Sequence, residues 1–338
     1  MVNIYLLDCT LRDGGYVNDW AFGADGIHGM KEGLEQANVD IIELGFIRNE
    51  PANVNRSVFS NAADMYSRIT KKDRTAIYSA MIEGTDPEGC YPINKLKTPE
   101  ESGIDLIRVC TWKRLMKEHL SYCRDISKQG YLISVQPTAV EQYNTNEFIE
   151  LLKRANEIQP FSVYVVDTWG TQSSIQVCRY LELAEQYLDS NIKIGYHGHN
   201  NKMQALSCVQ SALAMNLSHD LCIDASIMGM GRGVGNLQTE VVMDYLNETQ
   251  GKSYNKFKAV ELFYHYLKNF YVDTPWGYSI YHFLSAQYSC PQDFATYFKE
   301  KNYGEDKFHQ FLRSLKPEEK IVFRATFVEK RLKEMGLS

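Results

Sequence analysis

The chain has 338 residues, 44% of them hydrophobic and 23% charged, with a formal net charge of −6. Those values describe a globular protein with a sizeable core, and an acidic balance without a basic block excludes nucleic acid as an expected partner. No run approaches the ~20 apolar residues that span a bilayer, and the start lacks the pattern of a secretory signal, so neither a membrane nor a secreted form is expected. The eight cysteines are scattered, with no C-x-x-C pair, and read as reduced thiols of a cytoplasmic protein.

Taken in order, short apolar β-rich runs recur at 4–8, 40–46, 75–81, 105–111, 131–136, 162–167, 192–197 and 221–228, with room for a helix between each pair. Alternating β and α elements imply a parallel sheet, and eight repeats over about 240 residues match a (β/α)8 TIM barrel. A doubly wound open sheet is the alternative, but no G-x-G-x-x-G follows the first run. From about residue 246 the pattern turns helical, with amphipathic stretches at 256–270, 292–301, 306–315 and 317–335. The expected organisation is therefore a catalytic barrel over 1–245 and a helical C-terminal extension over 246–338. The extension would shape the barrel mouth or make a subunit contact, and a homo-oligomer is expected.

Polar residues gather where the runs end, which is where this fold keeps its chemistry. The first run delivers Asp8, then Arg12 and Asp13, then Gly14-Gly15. Arg12 is a fixed cation beside a hard oxygen ligand, and the glycines would permit the turn that aims both at one site. An isolated Arg-Asp pair is by default a surface ion pair. The other end of the chain changes that default. His197 and His199, two apart on a strand, share one face, and a metal explains the pair better than packing does. Gly229, Gly231, Gly233 and Gly235 form a loop before a helix, suited either to phosphate or to placing the Asn236 oxygen on a metal. Barrel closure sets the last two strands beside the first, so Asp13, His197, His199 and Asn236 converge. That donor set suits Mn²⁺ foremost, or Mg²⁺, Co²⁺ or Zn²⁺. Glu43, Gln136, Asp167 and Thr168 at other strand ends, with Gly231 and Arg232, are candidate substrate-binding residues; Glu43 could equally be a satisfied polar residue of the barrel core.

The motifs Asp8-x-Thr10-Leu11-Arg12-Asp13-Gly14, His197-x-His199-Asn200 and Gly229-Met230-Gly231-x-Gly233-x-Gly235-Asn236 resemble the signatures of the HMGL-like metal-dependent barrel superfamily of hydroxymethylglutaryl-CoA lyase. Within it the chain most resembles 4-hydroxy-2-oxovalerate aldolase. The resemblance implies that Asp13, His197 and His199 bind the metal, joined by Asn236 as in the lyases, and that Arg12 stabilises an enolate. It also allows a dehydrogenase partner. Two positions depart from the pattern. The lyases carry a catalytic Cys in the glycine loop, where this chain has Arg-Gly-Val-Gly at 232–235. The aldolases carry a His where this chain has Tyr16, and their C-terminal catalytic Tyr has counterparts in Tyr278 or Tyr281.

The chemistry also follows from the residues. A 2-oxo acid chelates a divalent ion, and breaking the bond beyond its α-carbon leaves an enolate that Arg12 can face. The expected reaction is aldol cleavage or formation of a 4-hydroxy-2-oxo acid through a pyruvate-type enolate, with an aldehyde as the second partner. The alternatives are a Claisen-type acyl-CoA lyase or synthase on the same site, or a metal-binding relative without turnover. Tyr16 is expected either to serve the aldol proton, its phenolate favoured by Arg12 and the cation, or to line the pocket and select the aldehyde.

Overall fold

The computed structural model of the chain describes residues 2–69, 75–83 and 90–337. Its strands are β1 (Ile4–Asp8), β2 (Ile41–Ile47), β3 (Val58–Phe59), β4 (Ile77–Ile82), β5 (Leu106–Trp112), β6 (Leu132–Thr138), β7 (Ser162–Asp167), β8 (Lys193–Gly198) and β9 (Leu221–Ala225). All pair in parallel. Leu7 and Asp8 of β1 align with Ile41 and Ile42 of β2 on one side, and β1 runs beside β9 from Ile4–Leu221 to Asp8–Ala225 on the other. The sheet therefore closes into the expected eight-stranded (β/α)8 barrel, ringed by helices. The unexpected element is β3, two residues that pair with the far end of β2 outside the closed ring. The eighth expected strand stops three residues early, because Met228 takes a left-handed φ of 54° inside a 3-10 turn, Ile227–Gly229.

The period of two along the strands explains the interior. Leu7, Ile41, Leu106, Tyr164 and Cys222 form an apolar cluster within the barrel. Two residues further along three of those strands, on the same face, stand Glu43, Arg108 and Asp224, all buried. An apolar layer thus closes the barrel below a charged one. The outward faces pack on helices such as Thr145–Asn156 and Ser174–Tyr187, each started by a side chain that accepts from the first turn.

The expected division at residue 245 is corrected. The helix Thr239–Gln250 runs across it, and the helical stretch from Lys256 to Asp273 belongs to the barrel's own core. The reason is close packing: a Cβ on Gly33 would lie 2.3 Å from Leu262, and one on Gly29 would lie 2.1 Å from the Tyr266 hydroxyl. Those glycines, on the helix Ala24–Gln36, admit the later helix against the barrel wall. A second core, built on Phe294, Phe298, Phe308, Phe311, Val328 and Leu332, gathers the helices Asp293–Glu300, Glu305–Ser314 and Ala325–Glu334. The helix Ile280–Gln287, absent from the sequence reading, leads into this C-terminal unit. No helix among the described residues is long and apolar enough to cross a membrane, and the described cysteines form no disulfide.

Candidate active site

The end of β1 is tied down before the functional residues begin. The Asp8 carboxylate accepts from the Thr10 N–H (2.9 Å) and the Thr239 hydroxyl (2.6 Å), while the Thr10 hydroxyl accepts from the Ile227 N–H (2.8 Å). This links β1 to the loops after β9 across the closure. Burial raises the Asp8 pKa to about 6 against the opposing pull of those hydrogen bonds. The chain then makes a single helical turn, Thr10–Asp13, which carries Arg12 and Asp13 together into the barrel mouth. The turn begins before the glycines. Gly14 and Gly15 serve close approach instead, since a Cβ on Gly15 would lie 1.9 Å from the Trp20 indole. Trp20 in turn donates from Nε1 to the Arg12 carbonyl at 2.6 Å.

Asp13, His197 and His199 offer ligand atoms that all lie within 4.8 Å of one another. The Nε2 atoms of His197 and His199 each stand 3.8 Å from Asp13 Oδ2. Asn236 bridges to His199 through the backbone, and its Nδ2 points to the Met230 carbonyl at 3.3 Å. Asp13 Oδ2, His199 Nδ1 and Asn236 Oδ1 are buried without a hydrogen-bond partner, while Asp13 Oδ1 meets the Arg12 guanidinium at 3.1 Å. Buried acceptors without donors are costly unless something positive meets them. Burial alone would raise the Asp13 pKa, but the Arg12 guanidinium, then His199 and His197, hold it at about 2. Burial lowers His199 to about 4, leaving a neutral ring. His197 Nδ1 meets Asp224 Oδ2 at 2.9 Å. A carboxylate only accepts, so Nδ1 carries the hydrogen and Nε2 is the ligand atom. One anion and two imidazoles whose ligand atoms converge fit a divalent cation, with the Asn236 side chain close by.

Behind this cluster runs a buried ionic chain. Arg12 Nε donates to Glu43 Oε2 at 2.8 Å, and the same oxygen lies 2.8 Å from Arg108 NH1. Arg108 continues to Asp224 and to Gln136 Oε1 at 3.2 Å. Arg12 also contacts Asp13 at 3.1 Å. Two guanidinium groups against Glu43, Asp224 and Asp13 leave one negative charge in excess, at the end where the ligand atoms converge. Glu43 is therefore a positioning group between two arginines and does not line the pocket, so its substrate role is not met.

The pocket above the cluster is about 140 Å³ and is lined among others by Arg12, Asp13, Tyr16, Glu83, Gln136 and Thr168. Gln136 reaches it while holding Arg108. Thr168 reaches it while its hydroxyl accepts from the Ala139 N–H at 2.8 Å. Asp167 does not line it; its carboxylate caps the following loop, accepting from the Thr171 and Gln172 N–H groups at 2.9 and 3.1 Å. Gly231 gives the site room, since a Cβ there would lie 2.4 Å from Asn236 Nδ2 and 3.3 Å from Asp13 Oδ2. Within the glycine loop the N–H groups of Gly229, Gly235 and Asn236 are engaged by backbone carbonyls, which disfavours the phosphate alternative.

Two expectations for tyrosines are corrected. Tyr278 is 57% exposed and away from the pocket, and Tyr281 donates to the Tyr303 carbonyl at 2.6 Å within the C-terminal unit. Neither reaches the pocket within this chain. Tyr16 does, but not as a phenolate. Its hydroxyl donates to Glu83 Oε1 at 3.1 Å, and withdrawal from water followed by the Glu83 charge raises its pKa. Glu83 is held from the other side by Arg48 at 3.1 Å, and Arg48 stacks over Trp20 and Phe46 at 4.2 and 4.4 Å. Arg232 lies over the Tyr16 ring at 5.4 Å and pairs with Asp293 of the C-terminal unit. Glu83, Arg48 and Asp224 were missed from the sequence. Glu83 directly follows β4 and Asp224 lies within β9 as the sole acid of Leu-Cys-Ile-Asp-Ala, a signal that strand-end polarity could have carried.

Residues 104–262, which include His197, His199, Asp224 and Asn236, match the HMGL-like family model. Over those residues, just under half of its length, the chain is similar to the HMGL-like family. The oxaloacetate decarboxylase of Mycobacterium tuberculosis is 26% identical over 241 residues, 70% of this chain and 68% of that protein. The 4-hydroxy-2-oxovalerate aldolase of Spirochaeta aurantia is 26% identical over 251 residues, 72% of this chain and 70% of that protein. Among solved structures, the N-terminal domain of a Bacteroides vulgatus protein superposes with a TM-score of 0.75 at 22% identity, covering 92% of this chain and all of that one. That likeness concerns the fold.

Proposed function

We propose that this HMGL-like chain is a divalent-metal-dependent carbon–carbon lyase of 2-oxo acids, and within that class an aldolase that cleaves or forms a 4-hydroxy-2-oxo acid. The observation that carries the reading is the buried Arg12 guanidinium set beside the converging Asp13, His197 and His199 ligand atoms in one small pocket. Asp13, His197 and His199 would hold Mn²⁺ or a similar ion there, which would supply Lewis-acid polarisation of the 2-oxo group.

The protein's own groups account for the rest. In cleavage the C4 hydroxyl loses its proton, the C3–C4 bond breaks to release the aldehyde, and the electron pair moves to the C2 oxygen as a pyruvate enolate. Arg12 is fixed through Nε to Glu43, and its remaining donors stabilise that oxygen as charge develops. Tyr16 takes the C4 proton while passing its own to Glu83, a carboxylate that Arg48 holds in place. Protonation of the enolate at C3 then gives pyruvate. Decarboxylation of oxaloacetate, the activity named for one relative, would pass through the same enolate but has no hydroxyl proton to remove, and so leaves Tyr16 and Glu83 without a task. A Claisen-type lyase is less favoured because residues 232–235 lack the cysteine that such chemistry uses in the resembling lyases.

The test is proton exchange and bond cleavage in the same preparation. Mn²⁺-loaded protein should exchange the pyruvate methyl hydrogens in D2O and should release pyruvate from a 4-hydroxy-2-oxo acid faster than from oxaloacetate. Loss of both activities on dialysis against a chelator is expected. Absence of methyl exchange in metal-loaded protein would overturn the reading.

A further inference from the structure

Beside the reaction pocket lies a second cavity of about 560 Å³, between the barrel mouth and the C-terminal unit. Tyr16 and Arg232 line both, so the two spaces meet at that pair of side chains. The volumes assign them different work. The reaction pocket, at about 140 Å³, is smaller than the roughly 300–1,000 Å³ of ordinary small-molecule sites, whereas the second cavity falls within that range. A three-carbon 2-oxo acid suits the first and leaves little space there for a second reactant of several carbons.

The second cavity is also chemically distinct. Arg232, Asp293, Lys299 and Glu300 contribute two positive and two negative groups, with Thr296 and His282 between them. Arg232 is already answered by Asp293, and burial lowers His282 to about 4, so the lining carries no net charge at neutral pH. His282 is 3% exposed and Gln292 2% exposed, and His282 Nδ1 with both Gln292 amide atoms lacks a partner. Gln292 stands against the glycine loop, since a Cβ on Gly233 would lie 2.1 Å from its Oε1. More than nine in ten buried polar groups in native proteins are paired, so the orphaned Nδ1 of His282, a residue of the lining, points together with the Thr296 hydroxyl to a ligand that supplies both donors and acceptors. Trp276, fixed by donation from Nε1 to the Met228 carbonyl at 2.9 Å, adds an aromatic wall.

We propose that this cavity is the aldehyde subsite and that the aldehyde is a neutral, polyhydroxylated chain of about four or more carbons. The inference rests on the aldolase reading and names its second substrate class. The aldehyde carbon meets the enolate C3 at the junction, a carbon–carbon bond forms there, and the aldehyde oxygen takes its proton from Tyr16 to become the C4 hydroxyl. The remaining hydroxyls extend past Arg232 toward His282 and Thr296.

The experiment uses full-length Mn²⁺-loaded protein with pyruvate and one of three acceptors: acetaldehyde, D-erythrose or D-erythrose 4-phosphate. Addition products are followed by NMR, together with methyl exchange of pyruvate alone. The wild-type kcat/KM for D-erythrose should exceed that for acetaldehyde by at least tenfold. Thr296→Trp, which fills the cavity, and Lys299→Met, which alters its lining, should each cut that ratio severalfold, mainly through the KM for D-erythrose. Methyl exchange measured in each variant reports whether its fold and reaction pocket are intact. Equal use of acetaldehyde and D-erythrose, or a ratio unmoved in both variants, overturns the inference while exchange leaves the aldolase reading standing. A tenfold preference for the phosphorylated aldehyde overturns the neutral-ligand assignment. No exchange in wild type removes the aldolase reading and the inference with it.

Discussion

Asp224→Asn changes one atom at the hinge between the ionic chain and the ligand cluster. Asp224 Oδ2 meets His197 Nδ1 at 2.9 Å and also takes Arg108. An asparagine that sets its oxygen in the place of Oδ2 keeps both contacts but withdraws the negative charge behind the ring, and so lowers the basicity of Nε2. Turned over, it sets its NH2 against both the ring nitrogen and a buried guanidinium. Loss of the charged outer partner costs about 10–100-fold in metal affinity, or about 1.4–2.8 kcal/mol. The fold should survive. Arg108 keeps Glu43 at 2.8 Å, so the cost stays below the roughly 3–5 kcal/mol of a buried charge left wholly unpaired. Calorimetric titration with Mn²⁺, beside a thermal melt of the metal-free protein, reads both quantities. Unchanged Mn²⁺ affinity in a folded Asp224→Asn protein would refute the assignment of His197 Nε2 as a ligand atom oriented from behind.

Arg12→Lys keeps the charge but not the planar fork that spans Glu43 and Asp13, so kcat for cleavage should fall by about 10²-fold or more; a change confined to KM would make Arg12 a substrate-carboxylate binder instead. Tyr16→Phe and Glu83→Gln should each lower aldol cleavage by about 10²-fold while pyruvate methyl exchange persists, and full cleavage in both variants would remove the proton-transfer role. Asp8 gives a pH signature in stability: its folded pKa of about 6 lies above the unfolded value near 4, so its contribution favours the fold below pH ~4 and is lost as pH rises through 6. Asp8→Asn removes that titration, and its stability relative to wild type should grow by up to about 3 kcal/mol between pH 4 and pH 7 in denaturant titrations; a pH-independent difference would contradict the assignment.

The barrel and its ligand cluster were legible because both follow from periodicity. A period of two sets His197 and His199 on one face, repeated β and α runs imply a parallel sheet, and closure of that sheet brings β9 to β1, so residues more than two hundred positions apart meet. What stayed hidden depends on neighbours across strands. Asp224 is an ordinary acid in β9 until β8 lays His197 beside it, and Glu43 is an ordinary acid in β2 until two arginines reach one of its oxygens. Tyr16 shows the same limit with the opposite sign. Its sequence neighbours Arg12 and Asp13 suggest a cation-stabilised phenolate, but Glu83, arriving from the end of β4, receives its hydrogen and favours the neutral phenol.

The C-terminal unit adds a constraint on what similarity can transfer. The family match covers 104–262 and so includes His197, His199, Asp224 and Asn236, the groups that hold or orient the ligand atoms after β8. His282, Thr296 and Lys299, which line the second cavity, lie beyond it. The two spaces nevertheless share Tyr16 and Arg232, and Arg232 is held by Asp293 from the later unit. On the proposed reading, a barrel that would generate an enolate with residues from its strand ends is thereby joined to a separately built surface that would face whatever the enolate attacks. Relatives at 24–26% identity over about 250 residues would then bear on the first half of that reaction. On that proposal the second substrate is read from the groups that line the second cavity, among them the unpaired His282 Nδ1, whose burial without a partner is costly.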